Sequence, residues 1–237
     1  MEIRFTKSIK VKIITEISDN FILKNLLSFS KKMLDNGLVI GPGGNTSIKN
    51  DNDVMYISPS GIPFNEMEVD DFVPINIVSG KILDSRLMPS SEVPLHLRIY
   101  QIRNDIKCII HAHPPHIIAL SAVNIKIEPL FPDFVVYLGL EVPQIPYVTP
   151  CTEDMGKLVA DKFKNNVSCV LKNHGAVTVG KSVKEAYTRM QVLESGAEIL
   201  FKAKLLGNPK ILSENEVNDI LNLDIEKYRK KLLEDSI

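Results

Sequence analysis

Residues 108–120 read CIIHAHPPHIIAL. The run Cys108, Ile109, Ile110 predicts a buried β-strand, and two histidines, His111 and His113, stand at its end. Burying an imidazole with no partner costs free energy, so the fold has to supply something that satisfies both rings. In a strand, residues i and i+2 face the same side. His111 and His113 therefore point together, with the small Ala112 opposite. A strand offers two imidazoles to one metal in this way. The same pattern also fits two core histidines that are hydrogen-bonded separately. Pro114 and Pro115 then open a helix, since proline is favoured at a first helical turn.

Downstream, a third histidine, His174, lies in LKNHGAV, after the apolar run VSCVL and directly before a glycine. Alone, a histidine in a turn is more often structural. Three histidines at the ends of two buried strands match a metal site better. Three neutral imidazoles with one open position form the usual catalytic zinc arrangement. Cobalt, iron or manganese also accept imidazole.

Upstream, Glu92 follows PSS at the start of a predicted helix. A glutamate there suits the helix macrodipole, and Ser90 and Ser91 suit N-capping. Helix-start amides beside two hydroxyls also make a phosphate site. The turns GGNTS and SPSG add backbone N–H groups of the same kind. Three small-residue turns without lysine or arginine can hold one phosphate by hydrogen bonds alone. His96 lies four residues after Glu92 on the same helix face and reads as a satisfied core or interface histidine. His116 is given no role.

The rest of the chain sets limits. A length of 237 residues fits one α/β domain or at most two small ones, and the chain is taken as one, 1–237. With 44% hydrophobic and 24% charged residues, the composition is that of a globular protein with a proper core. The net charge of −1 argues against nucleic-acid binding. There is no apolar run of about 18 residues, so no membrane span is predicted. The N-terminus shows no signal-peptide pattern, and the odd count of three cysteines points to reduced thiols in the cytoplasm. A first helix is predicted over about 15–36, stopped by Gly37. Strands are predicted at VMYIS and around a Ser-Gly turn in VDDFVPINI and GKIL. The region 125–150 reads as proline-rich and irregular. Capping boxes at Ser182–Glu185 and Ser213–Glu216 open a long helix and one polar C-terminal helix. The elements alternate without a clean βαβ rhythm. GPGGNTS fits neither the dinucleotide fingerprint nor a P-loop.

In this order and spacing, GGNTS, SPSG, PSSE, HAHPP and NHG resemble the motifs of the class II aldolase and adducin-head family, from about residue 20 to 205. The resemblance implies an α/β fold: three layers, α/β/α, around a mostly antiparallel central sheet. It implies zinc held by His111, His113 and His174, and a Glu92 that can ligate the resting metal and act as acid/base. It implies a substrate phosphate bound by Gly44 and Asn45, by Ser60 and Gly61, and by Ser90 and Ser91. A cyclic homotetramer also follows from it. The family's fuculose-phosphate aldolases use a tyrosine, downstream of the second metal histidine, as proton donor. Here that neighbourhood is LFPDFVVYLG, with Asp133 near the expected place and Tyr137 beyond it.

The expected function is that of a zinc-dependent aldolase. It would cleave a small ketose 1-phosphate, similar to L-fuculose 1-phosphate, to dihydroxyacetone phosphate and an aldehyde. A Glu92 freed into a partly apolar pocket would have a raised pKa and transfer the proton. The nearest alternatives are a dehydratase of the methylthioribulose-1-phosphate type and a 4-epimerase. A non-enzymatic adducin-like binding module fits poorly, because the adducin head lacks the metal-binding histidines.

Overall fold

The structure is a computed structural model, which describes residues 7–235. Among them, seven strands form one sheet: β1 Asn45–Lys49, β2 Val54–Ile57, β3 Val73–Asn76, β4 Cys108–Ala112, β5 Gln144–Ile145, β6 Ser168–Leu171 and β7 Gly175–Gly180. Their order is β3-β2-β1-β4-β7-β6-β5. All neighbours run antiparallel except β5 and β6. The helices are α1 Lys7–Asp35, α2 Val93–Ile102, α3 Pro115–Ala122, α4 Pro132–Leu138, α5 Glu153–Lys162, α6 Val183–Leu206, α7 Glu214–Asn222 and α8 Asp224–Glu234.

The sheet is covered on both faces. On one side α1, α3, α4 and α6 contribute Leu26, Met33, Ile117, Phe134 and Leu193, which pack with Cys108, Ile110 and Ala112 of β4. On the other, α2 and α5 contribute Leu95, Ile99, Met155 and Val159, which pack with Ile109 of β4 and with Val177 and Val179 of β7. This is the expected three-layer α/β/α arrangement. It also explains the unbroken apolar run of β4, since every residue of that strand is buried. The alternation places His111 on the same face as Ile109, beneath α2 and α5.

Gly37 ends α1 in the left-handed region, at φ +67°. The Leu38 N–H reaches back to the Met33 carbonyl at 2.9 Å, which satisfies an orphan acceptor of the last turn. Three sequence expectations need correction. The first helix starts at Lys7, earlier than 15. The stretch 125–150 is not irregular throughout, because α4 and β5 lie in it. Proline at the first turn and Gly139 at the C-cap, φ +84°, delimit α4, and its Phe134, Val135, Val136 and Leu138 are buried. The C-terminal helix is two helices, α7 and α8, because Leu223 between them is extended. The capping box at Ser213–Glu216 is present as read. No described helix is long and apolar enough to cross a membrane.

Gly175, at the start of β7, is where the sheet is tightest near its histidines. A Cβ there would stand 2.1 Å from the Ala112 carbonyl oxygen and 2.9 Å from Cδ2 of His113. Gly175→Ala must therefore push β7 off β4. The expected cost is about 1–3 kcal/mol or more. That should appear as a fall in Tm of several degrees in the metal-free protein. A variant with an unchanged melting curve would contradict this account of the contact.

Candidate metal centre and active site

Strand pairing gathers the histidines. His111 is in β4, and His113 follows the end of that strand, where its N–H donates to the Leu38 carbonyl at 3.0 Å. His174 lies in the tight turn joining β6 to β7, with its N–H on the Leu171 carbonyl at 3.1 Å. Because β4 and β7 are antiparallel, with Ala112 opposite Ala176, the turn before β7 sits beside the end of β4. One potential ligand atom from each of the three histidines lies within 4.8 Å of the others.

Hydrogen bonding fixes which nitrogen of His111 faces this cluster. Its Nδ1 stands 3.0 Å from the Ala176 carbonyl oxygen, which can only accept. Nδ1 therefore carries the proton, and Nε2 offers a lone pair. That lone pair faces His113 Nε2 at 3.0 Å and Glu92 Oε2 at 3.0 Å. His174 Nε2 is 3.5 Å from Glu92 Oε1, and that oxygen is buried with no hydrogen-bond partner. Converging lone pairs and an unsatisfied carboxylate oxygen repel one another unless positive charge lies among them. The donor set fits a divalent cation.

Burial lowers the pKa of His113 to about 4, with further repulsion from His111 and His174. Burial, followed by His111, does the same to His174, also to about 4. Both rings are neutral near pH 7, as metal ligands must be. Glu92 is buried at the N-cap of α2. Its desolvation would raise its pKa, as the sequence suggested for a freed carboxylate. In the resting arrangement the Asn45 amide donates to Glu92 Oε2 at 2.8 Å, which favours the ionised carboxylate against that burial.

Above the cluster opens a cavity of about 220 Å³, sized for a small molecule. Gly44 and Asn45, Ser60 and Gly61, and Ser90, Ser91 and Glu92 line it together with His113 and His174. The turns read from sequence thus surround one space, and His111 is fully buried beneath it. Gly44 has φ +72°, and a Cβ there would meet Val39 at 2.6 Å and the His111 carbonyl oxygen at 2.8 Å. Only glycine fits so close to β4. The Ser90 hydroxyl accepts from the Glu92 N–H at 3.3 Å, so it also orders the first turn of α2.

Several residues fall otherwise than a sequence reader would place them. Cys151 lines the cavity and its thiol donates to Ser91 Oγ at 3.0 Å. A lone cysteine in a proline-rich stretch gave no warning. The signal was Thr152, which caps α5 by accepting from the Met155 N–H and so sets the preceding residue at a helix mouth. Asp133 pairs with Arg229 of α8 at 3.2 Å, and neither it nor Tyr137 lines the cavity. His116 is bound to Glu194 at 2.8 Å, and that carboxylate also accepts from the N–H groups of His116 and Ile117 at the start of α3.

His111→Ala removes the central imidazole of the cluster. Metal analysis of the purified variant should show a large loss of bound divalent ion relative to wild type. Full retention would remove the case for this centre.

The profile of the class II aldolase and adducin N-terminal domain matches residues 24–201. A 5-deoxy-D-ribulose 1-phosphate aldolase of Bacillus thuringiensis serovar kurstaki is 30% identical, over 83% of this chain and 92% of that protein. An L-fuculose phosphate aldolase of Methanococcus maripaludis is 35% identical, over 78% of this chain and 98% of that one. A solved structure of an L-fuculose 1-phosphate aldolase superposes with a TM-score of 0.80 at 29% identity, covering 88% of this chain and 96% of its own. A 3-oxo-tetronate 4-phosphate decarboxylase of Pectobacterium atrosepticum is also similar, at 28% identity over 78% of this chain and 85% of that one. The chain belongs to the class II aldolase and adducin N-terminal domain family, and its imidazole cluster and small-residue turns stand where that family's matched region runs.

Proposed function

We propose that the protein is a zinc-dependent aldolase that cleaves a small ketose 1-phosphate, of the L-fuculose 1-phosphate kind, to dihydroxyacetone phosphate and an aldehyde. The observation that carries this reading is the buried Glu92 carboxylate facing three imidazoles at the base of a small polar cavity. A divalent cation held by His111, His113 and His174 would supply Lewis-acid polarisation of the substrate carbonyl, and three neutral imidazoles favour zinc.

The remaining chemistry falls to the chain. None of the described lining residues is a lysine or arginine. A Schiff base with the ketose therefore has no amine here, and a phosphate would be held by hydrogen bonds. Gly44 and Asn45, Ser60 and Gly61, and Ser90 and Ser91 supply the amides and hydroxyls for that. Cleavage breaks a carbon–carbon bond one carbon from the carbonyl: the departing carbon becomes the aldehyde as its hydroxyl gives a proton to solvent, and the electron pair stays on the carbon beside the carbonyl. Glu92 is the proton-transferring group at that carbon. In the condensation direction it removes the same proton from dihydroxyacetone phosphate.

A second reading is supported by the decarboxylases among the relatives. Loss of carbon dioxide from a 3-oxo acid phosphate leaves the same kind of electron pair beside a carbonyl. The products separate the two. Incubating the metal-loaded protein with a panel of ketose 1-phosphates should release dihydroxyacetone phosphate from at least one. Release of carbon dioxide from a 3-oxo-tetronate 4-phosphate, with no cleavage in the panel, would replace the aldolase reading. Glu92→Gln should keep its metal while kcat falls about 100-fold or more, since general acid–base groups contribute roughly 100- to 10,000-fold.

The chain is also proposed to work as a homotetramer. Phe201, Leu205 and Leu206 on α6, with Ile225 and Tyr228 on α8, are exposed and offer apolar surface for subunit contact. Light scattering should give four times the chain mass, and a stable active monomer would contradict it.

A further inference from the structure

One face of α2 carries Glu92, His96 and Tyr100 at four-residue spacing. One face of β1 carries Asn45 and Ser47 at two-residue spacing. Four helical residues rise about 6 Å and two strand residues about 6.8 Å, so the two rows can match rung by rung. They do. Asn45 Nδ2 donates to Glu92 Oε2 at 2.8 Å, and Asn45 Oδ1 meets His96 Nε2. His96 Nδ1 lies 2.7 Å from Ser47 Oγ, and Ser47 Oγ lies 3.0 Å from the Tyr100 hydroxyl. Asn45 is also the strand partner of His111. His96 is completely buried and does not line the cavity.

The donors in this row can run in one sense only. An ionised Glu92 accepts, so Asn45 must turn its NH₂ toward it. The Asn45 oxygen then faces His96 Nε2, which must carry a proton. Nδ1 of the same ring is left as an acceptor, and the Ser47 hydroxyl donates to it. The opposite tautomer would bring a lone pair against the Asn45 oxygen. The amide would then flip and present its oxygen to the carboxylate.

We propose that His96, held by Ser47 as the Nε2–H tautomer, is a positioning residue: it orients the Asn45 amide, and through it the Glu92 carboxylate, for proton transfer. This rests on the reading of Glu92 as the proton-transferring group. Burial of the row keeps it dry, where each hydrogen bond is stronger than in water and a mismatched one is costly.

Two substitutions separate positioning from mere packing. In His96→Asn the shorter amide can accept from Ser47 but does not reach Asn45. In His96→Gln the longer amide can donate to Asn45. The readout is exchange of the enolisable proton of dihydroxyacetone phosphate with deuterated water in the metal-loaded protein. His96→Asn should slow the maximal exchange rate about tenfold to a hundredfold, with half-saturation and metal content close to wild type. His96→Gln should recover most of that rate. Equal rates in the two variants, or loss of metal in His96→Asn, would overturn the proposal. Nitrogen-15 NMR of the wild-type imidazoles gives a test that needs no variant to fold. An Nε2–H signal for His96 supports the row, and an Nδ1–H signal overturns it. That measurement is independent of Glu92. Wild-type exchange rates in Glu92→Gln would overturn the proton-transfer reading and leave the tautomer of His96 as measured.

Discussion

The antiparallel pairing of β4 with β7 is the contact on which the site depends. Its register, Ala112 opposite Ala176, places the turn that carries His174 beside the strand end that carries His111 and His113. Gly175 makes the approach possible, because any side chain there would strike the Ala112 carbonyl. The same pairing supplies the Ala176 carbonyl that fixes the tautomer of His111. A single strand contact thus sets the position of three rings and the direction of one lone pair.

The second constraint is electrostatic. Glu92 and His111 are buried at the base of the cavity beside the half-buried rings of His113 and His174, where unpaired charge is costly. His113 and His174 are held neutral, and Glu92 is held ionised against its own desolvation. The cost of burying these groups is offset by what they can hold. Elsewhere the fold treats buried charge differently, since Glu185 and Arg189 on α6 pair with each other.

Much of this was legible in the sequence, for physical reasons that differ by residue. The strand ending in His111 and His113 announced itself because a strand covered on both faces is an unbroken apolar run. The turns at Gly44 and Gly61 announced themselves because left-handed backbone favours glycine. What stayed hidden needs tertiary contact or is too short to show periodicity. Helix α4 has seven residues, and its proline and glycine boundaries have the composition of a loop. The spacing of Glu92, His96 and Tyr100 was visible, as was that of Asn45 and Ser47. Nothing local says that the two rows face each other, because α2 and β1 meet only in the folded sheet. The departure around Asp133 and Tyr137 was visible too. In the fold Asp133 faces Arg229, a partner supplied by a helix far along the chain.

The strand order has a kinetic consequence. β4 lies between β1 and β7, and neither is its neighbour in sequence. Closing such distant pairs requires loop entropy to be lost before the contacts repay it, which slows folding. A chain in which β7 has not yet docked holds only His111 and His113, and it lacks the third imidazole. A cation bound by all three imidazoles would therefore be captured late in folding, as a lock on the closed sheet more than a seed for it. Such a cation would tie β4 to the β6–β7 turn, so that local opening at that seam would be coupled to its release.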